Sequence, residues 1–287
     1  MIEDHLSPAS REALQRGIER QKLQESQPRE TPILKGVSAR DARVVMDVAV
    51  FQLSKTPRPN AELSYSLDDG SFVRVRSGDA GMATAWDYDI VMIATGHLVR
   101  LVDQSARDRT QMPGRTVVIP RSELLNGDGR NQYDRLFPRL ERLLTTTVQI
   151  RRQSAKNLVE TSVEGLITGF KVLQTGARVT LVEITLPTWL YSEVVSSRTP
   201  NVLSIPDAYF SIPSSLGRYI YRVAKFAAKQ EGRYRFETLY RRSSSTENFR
   251  QFSSRLRRLI EENLIPEFEL RQVDGVEGPL LLMRPRK

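Results

Sequence analysis

Residues 243–266, SSSTENFRQFSSRLRRLIEENLIP, leave little choice of local structure. Apolar side chains recur at Phe249, Phe252, Leu256, Leu259, Ile260 and Leu264, the spacing that places them on one helix face. Gln251, Ser254, Arg255 and Arg258 fall on the opposite face, with Arg250 and Arg257 on the flanks. Ser243, Ser244, Ser245 and Thr246 are all good N-cap residues, so a helix is predicted over 246–265. An aliphatic stripe under a ridge of Arg, Gln and Ser suits the DNA major groove. The polar first turn also offers backbone N–H groups to phosphate. Taken alone, the same pattern describes an ordinary solvated amphipathic helix, and its neighbours shift the balance.

The charge is what shifts it. The chain of 287 residues has a formal net charge of +9. Residues 213–258 contain twelve Lys or Arg against three Glu, so this segment alone carries the whole excess. Cations concentrated in one segment are the footprint of an anionic polymer partner.

Other classes of protein fit poorly. With 39% apolar and 27% charged residues the chain reads as globular, and no apolar run approaches the ~20 residues of a membrane span. The N-terminus lacks the basic start and apolar core of a signal peptide, so a cytoplasmic, nucleoid- or plasmid-associated location is expected. Zero cysteines exclude disulfides and thiolate metal sites. The histidines are His5 and His97 only, which leaves no paired-histidine metal site. There is no Walker motif, since Gly165, Gly169 and Lys171 have the wrong spacing. Asp87 and Asp89 read as first-turn acids on a helix dipole, His97 as a packed residue, and Tyr219 and Tyr221 as core or phosphate-contacting groups. No catalytic constellation, metal site or cofactor is expected.

In chain order, 1–35 reads as an arm, with a helix over 8–24. A helical turn is expected at 38–47, a strand at 48–53, and a hairpin of strands 62–67 and 72–76. A long helix starts near Thr84. Strand 116–119, a short helix from Arg121, a helix over 128–144 containing Pro138, and strands 145–151, 164–173 and 178–186 follow. Residues 190–206 show little helical periodicity and are taken as a boundary. Beyond it come helix 214–229, strand 234–236, helix 237–242, the helix described first, and strands 267–272 and 280–284. Both halves share the order helix, strand, helix, helix, hairpin, which is that of a winged helix. The expected fold is therefore α+β: two tandem winged-helix (helix-turn-helix) domains, each a three-helix core with a β-wing. They would occupy 36–200, with extra strands, and 201–287.

On that frame the DNA contacts of the C-terminal domain are expected from Arg241, Arg242, Ser244, Ser245, Thr246, Asn248, Arg250, Gln251, Ser254, Arg255 and Arg258. Arg218, Arg222 and Lys225 would position the DNA backbone. Arg121, Arg130, Asn131, Arg135, Arg139 and Arg142 would serve the N-terminal domain, with Arg151 and Arg152 beyond. That domain would hold phosphates or form a dimer interface.

Several separated strings, in order, carry a resemblance to a known family: GMATAWDYDIVMIA, PTWLYSEVV, LSIPDAYFSI with LGRYIYRVAK, and SSTENFRQFSSRLRRLIEENLIPEF. They resemble the plasmid replication initiator protein A family of bacteria, from about Val48 to the C-terminus. The resemblance implies an origin-binding initiator related in design to iteron-binding Rep proteins. Such proteins bind repeated double-stranded DNA sites, promote origin opening and recruit the host replication initiator or helicase. They also act as homodimers on their own genes. A winged-helix repressor without origin function is the alternative the residues leave open, and a DNA nickase or primase is the reading from another class.

Overall fold

A computed structural model describes residues 31–66, 70, 72–124, 132–153, 159–176, 178–195, 199–228, 231–243 and 245–286. The helix expected over 8–24 lies outside these residues. The chain enters through β1 (Arg40–Ala42) and a 3₁₀ turn, Arg43–Val45. The hairpin β2 (Glu62–Ser66) and β3 (Phe72–Arg76) comes next, followed by the long helix α1 (Ala85–Asp108). Then come β4 (Thr116–Pro120), α2 (Arg121–Leu124), α3 (Gln132–Thr145), β5 (Thr147–Gln153), β6 (Val159–Gly165), β7 (Gly169–Thr175) and β8 (Arg178–Thr185). After α4 (Thr188–Val195) and β9 (Val202–Ser204), the last third holds α5 (Ser215–Ala227), β10 (Gly232–Arg235) and α6 (Phe236–Arg242). It closes with α7 (Phe249–Glu262), β11 (Phe268–Val273) and β12 (Leu280–Pro285).

All strand pairs are antiparallel, in sheets ordered β1-β9, β2-β3-β5-β6, β4-β8-β7 and β10-β12-β11. The two three-stranded sheets share one plan. In each, the strand after the first helix of that half pairs with the last strand of a later hairpin: β11–β12 directly after α7, and β7–β8 after α3 with β5 and β6 in between.

The core runs through both halves. Helix α1 starts on a capping box in which Thr84 accepts from the Asp87 N–H and Asp87 accepts from the Thr84 N–H. It is buried nearly all round, at Tyr88, Ile90, Val91, Met92, Ala94 and Leu98 among others, as expected of a central helix. Gly96 lets residues 38–39 cross it closely: a Cβ there would sit 2.2 Å from the Ser38 carbonyl oxygen.

Three local expectations differ from the structure. Residues 48–53 form no strand, although all six are buried; their backbone groups pair with distant partners instead. Ala49 N–H donates to the Arg242 carbonyl and Gln52 N–H to the Ala83 carbonyl. Tyr65 Oη donates to the Ala49 carbonyl and Ser215 Oγ to that of Leu53. An apolar run whose carbonyls meet side-chain donors needs no ladder. The single strand expected over 164–173 is two, β6 and β7, which belong to different sheets and are separated at 166–168. Helix α3, expected over 128–144 with Pro138 inside it, does run through that proline. Residues 190–206, expected as irregular, contain most of α4 and all of β9, and β9 pairs with β1.

Candidate nucleic-acid interface

Helix α7 starts later than expected. Its cap is Asn248, whose Oδ1 accepts from the Gln251 N–H at 3.0 Å while Gln251 Oε1 accepts from the Asn248 N–H at 3.3 Å. Asn263 closes it in the left-handed conformation, φ 45°. Phe252, Leu256 and Leu259 are buried beneath the helix, with Ser253 beside them and Ile260 half-buried. Phe249 and Leu264, expected in the same stripe, are exposed. Leu264 follows the cap, so helical spacing no longer governs it.

The outer face is the one expected. Thr246, Asn248, Arg250, Gln251, Ser254, Arg255 and Arg258 are exposed, Arg241 is exposed at the end of α6, and Ser245 is half-buried. Several of these cations have acidic companions. Arg255 Nη1 meets Glu247 Oε1 at 2.7 Å, Arg258 Nε meets Glu262 Oε1 at 2.9 Å, and Arg241 pairs with Glu237. Exposed pairs of this kind are worth ~0–1 kcal/mol, so a phosphate can displace the carboxylate. Arg257, on the flank, lies 5.6 Å from the Phe236 ring centroid. Ser244 lies outside the described residues.

Five expected contact residues are placed elsewhere. Arg222 is fully buried. Its Nε donates to Asp41 Oδ2 at 2.6 Å, its Nη2 to the Val45 carbonyl at 2.8 Å and its Nη1 to the Val48 carbonyl at 3.2 Å. Arg218 is buried against Asp89 and also donates to the carbonyls of Ile212 and Phe210. Arg242 is buried, with Nη1 at 2.9 Å from Asp47 Oδ2. These three are internal ties, not groups that position DNA. Arg121 is likewise buried at the start of α2. Arg142 is held two-pronged on Asp87, at 2.8 and 2.9 Å, and is half-buried. Lys225 pairs with Glu267, and Arg152 with Glu193.

The signal for burial was in the sequence. Between Leu216 and Ala224 nothing but Tyr and apolar residues surround Arg218 and Arg222, so α5 has no solvent face to give them. Asp41, set among Val, Met and Ala, and Asp89, set in the apolar run of α1, are the acids they meet.

In the N-terminal half Arg135 and Arg151 are exposed, while Arg130 and Asn131 lie outside the described residues. Arg139 donates to the Trp86 carbonyl and to Asp87. Arg135, Arg139 and Arg142 line a cleft of about 1300 Å³ at the start of α1, together with Lys55, Trp86 and Phe210. Lys55 and Arg218 each lie 5.4 Å from the Trp86 ring centroid, a cation–π pairing that sequence reasoning missed.

Titration follows packing. Burial pushes the Asp89 carboxyl up to about 6, against the pull of Arg218. Burial lowers His97, against the opposing pull of Glu123, whose Oε2 lies 2.8 Å from its Nε2. Burial also raises the Tyr219 and Tyr221 phenols far above their usual range, so both are core groups. No helix among the described residues is long and apolar enough to cross a membrane.

A putative replication protein of Wigglesworthia glossinidia brevipalpis is 30% identical over 151 residues, 51% of this chain and 54% of that protein, so the chain spans about half its length. The solved structure of SeMet derivatives of domains 2 and 3 of RctB has a similar fold. Its TM-score is 0.53 at 12% identity, covering 86% of this chain and 99% of that one. A second RctB structure, residues 155–483, covers 84% of this chain and 95% of that one, with a TM-score of 0.48 and 12% identity. Residues 40–270, most of the chain, match the family described as Replication initiator protein A. The chain belongs to the replication initiator protein A family.

Proposed function

We propose that this chain initiates replication of a plasmid or secondary replicon by binding repeated origin sites in double-stranded DNA, and that it has no catalytic activity of its own. On this reading the elements α5, β10, α6, α7, β11 and β12 form one winged helix, and α1, β4, α2, α3, β7 and β8 the other. The shared sheet plan, β10-β12-β11 and β4-β8-β7, supports that pairing. The observation that carries the function is the outer face of α7: Arg250, Gln251, Ser254, Arg255 and Arg258 stand exposed on a helix pinned from beneath by Phe252, Leu256 and Leu259. Arginine and glutamine are the side chains that read guanine and adenine edges in the major groove. Family membership supplies replication as the purpose. Opening of neighbouring DNA and recruitment of a host initiator or helicase follow as further steps.

Duplex DNA from the region flanking the protein's own gene, titrated at fixed salt, tests the reading. Wild type binds it over scrambled duplex, and Arg255→Ala with Arg258→Ala loses most of that preference. Origin binding unaffected by the double substitution overturns the assignment of α7. A plasmid bearing only the cognate origin, supplied with the protein in trans, separates initiation from simple repression: it replicates or it does not.

A further inference from the structure

We propose that residues 47–49, in the first half of the chain, aim helix α7 by clamping the end of α6. Asp47 and Arg242 are then positioning residues for sequence reading, although both are buried. The proposal rests on the DNA-reading role of α7 given above and identifies what sets the angle of that helix.

Helix α6 has seven residues, too few to hold its shape by its own hydrogen bonds. Its last carbonyls have no partner within the helix and must find one elsewhere. The Arg242 carbonyl accepts from the Ala49 N–H at 2.9 Å. The Tyr219 hydroxyl lies 3.4 Å from the Leu239 carbonyl and 3.4 Å from that of Asp47, bridging the two segments. The Tyr240 carbonyl accepts from the N–H and the Oγ of Ser243. The Arg242 guanidinium then reaches Asp47, 195 positions earlier in the chain, at 2.9 Å. A helix C-terminus repels a carboxylate, so Asp47 is held there by Arg242 and not by the dipole of α6. Asp47, Val48 and Ala49 are all buried, and the clamp is internal.

A continuous series of contacts leads from this clamp to α7. Ser243 Oγ accepts from the Ser245 N–H at 3.2 Å, and Ser245 Oγ from the Glu247 N–H at 3.4 Å. The Tyr240 hydroxyl donates to the Glu247 carbonyl at 2.9 Å. The next residue, Asn248, caps α7. The Tyr240 ring also lies 5.5 Å from that of Phe249 and 5.4 Å from that of Phe252. The direction of α7 is thus inherited from the end of α6, and residues 47–49 fix that end. Side chains that read base edges need placement to within about 0.5 Å, whereas attraction to phosphate is long-ranged and tolerates more. Loosening the clamp therefore costs sequence preference and spares general affinity.

Full-length Asp47→Asn keeps the size of the side chain and an acceptor for Arg242 but removes the charge. Its affinity for duplex from the region flanking the protein's own gene is expected to fall about five- to tenfold. Binding to scrambled duplex and the salt slope stay as in wild type. Arg242→Lys, which keeps a cation for Asp47, retains the preference. Were Arg242 a phosphate contact, Asp47→Asn would free it and tighten binding to every duplex. That result, an unchanged preference, or an equal loss on both duplexes overturns the clamp. A measurement on wild type needs no variant to fold. Coupling is reciprocal, so the flanking duplex slows hydrogen exchange at the buried Ala49 amide and scrambled duplex does not. Exchange at Ala49 that ignores both duplexes also overturns it. Arg255→Ala with Arg258→Ala separates the two readings. If that pair leaves preferential binding intact, the role of α7 and the clamp fail together; if it abolishes the preference while Asp47→Asn does not, the clamp alone fails.

Discussion

Helices α5 and α7 lie in the same third of the chain and both carry arginine, yet the structure uses that arginine in opposite ways. On α5, Arg218 and Arg222 point inward, each holding an aspartate from the N-terminal half and two backbone carbonyls. On α7, Arg250, Arg255 and Arg258 remain at the surface, with Arg255 paired to the half-buried Glu247 and Arg258 to the exposed Glu262. The difference lies in what surrounds them. Where every neighbouring position of a helix is apolar or Tyr, as from Leu216 to Ala224, a guanidinium must be neutralised inside. Where Ser, Gln and Arg share one face, it stays hydrated and free to exchange partners. Net charge alone overstates the cationic surface, because part of it is consumed in folding.

This contrast is open to direct attack. The largest effect is expected from Arg222→Ala, which leaves Asp41 buried without its partner and should cost about 3–5 kcal/mol in urea denaturation. Arg222→Met combined with Asp41→Leu should recover only part of that loss, because the carbonyls of Val45 and Val48 lose their donors in either variant. Full recovery would show that the ion pair alone matters.

Next comes pH. The folded protein holds the Asp89 proton up to about 6, above its ordinary 3.8. Between those values the folded state binds more protons than the unfolded one, so stability falls as pH rises through this window. Relative to Asp89→Asn, wild type should therefore lose stability from pH 4 to 6, by about 3 kcal/mol as an upper bound, and change little above it. Differential denaturation at a series of pH values checks the sign.

On α7 the order of effects reverses. Arg255→Ala or Arg258→Ala should cost ~1–3 kcal/mol in binding cognate duplex if the residue reads a base, with relaxed preference at one position. A phosphate contact would instead weaken all sequences alike and lower the salt slope by about one. Their effect on folding should be the smallest of all, within about 0.5 kcal/mol. An unfolding cost like that of Arg222→Ala would erase the distinction between the helices.

Much of this was legible before the structure. Helical spacing at Phe252, Leu256 and Leu259 gave the buried side of α7 and, by subtraction, its exposed Arg, Gln and Ser. The order of elements over the last third follows from turn and cap residues. What escaped was tertiary. Residues 48–53 are apolar throughout, and periodicity cannot distinguish a strand from an irregular segment threaded through a core. Arg218 and Arg222 looked like DNA contacts because their aspartates lie well over a hundred residues away in sequence. Leu264 fits the helical period but falls beyond the left-handed Asn263, a boundary that spacing does not reveal.

The irregular run at 43–53 also bears on how the chain is made. Its exposed counterpart during synthesis would be a largely apolar string whose carbonyls await donors from Arg222 and Ser215, groups 162 to 177 positions downstream. The ribosome delivers those donors long after the segment has left the exit tunnel, at ~5–20 residues per second. The first half of the polypeptide therefore lacks these donors until α5 emerges to complete its interior.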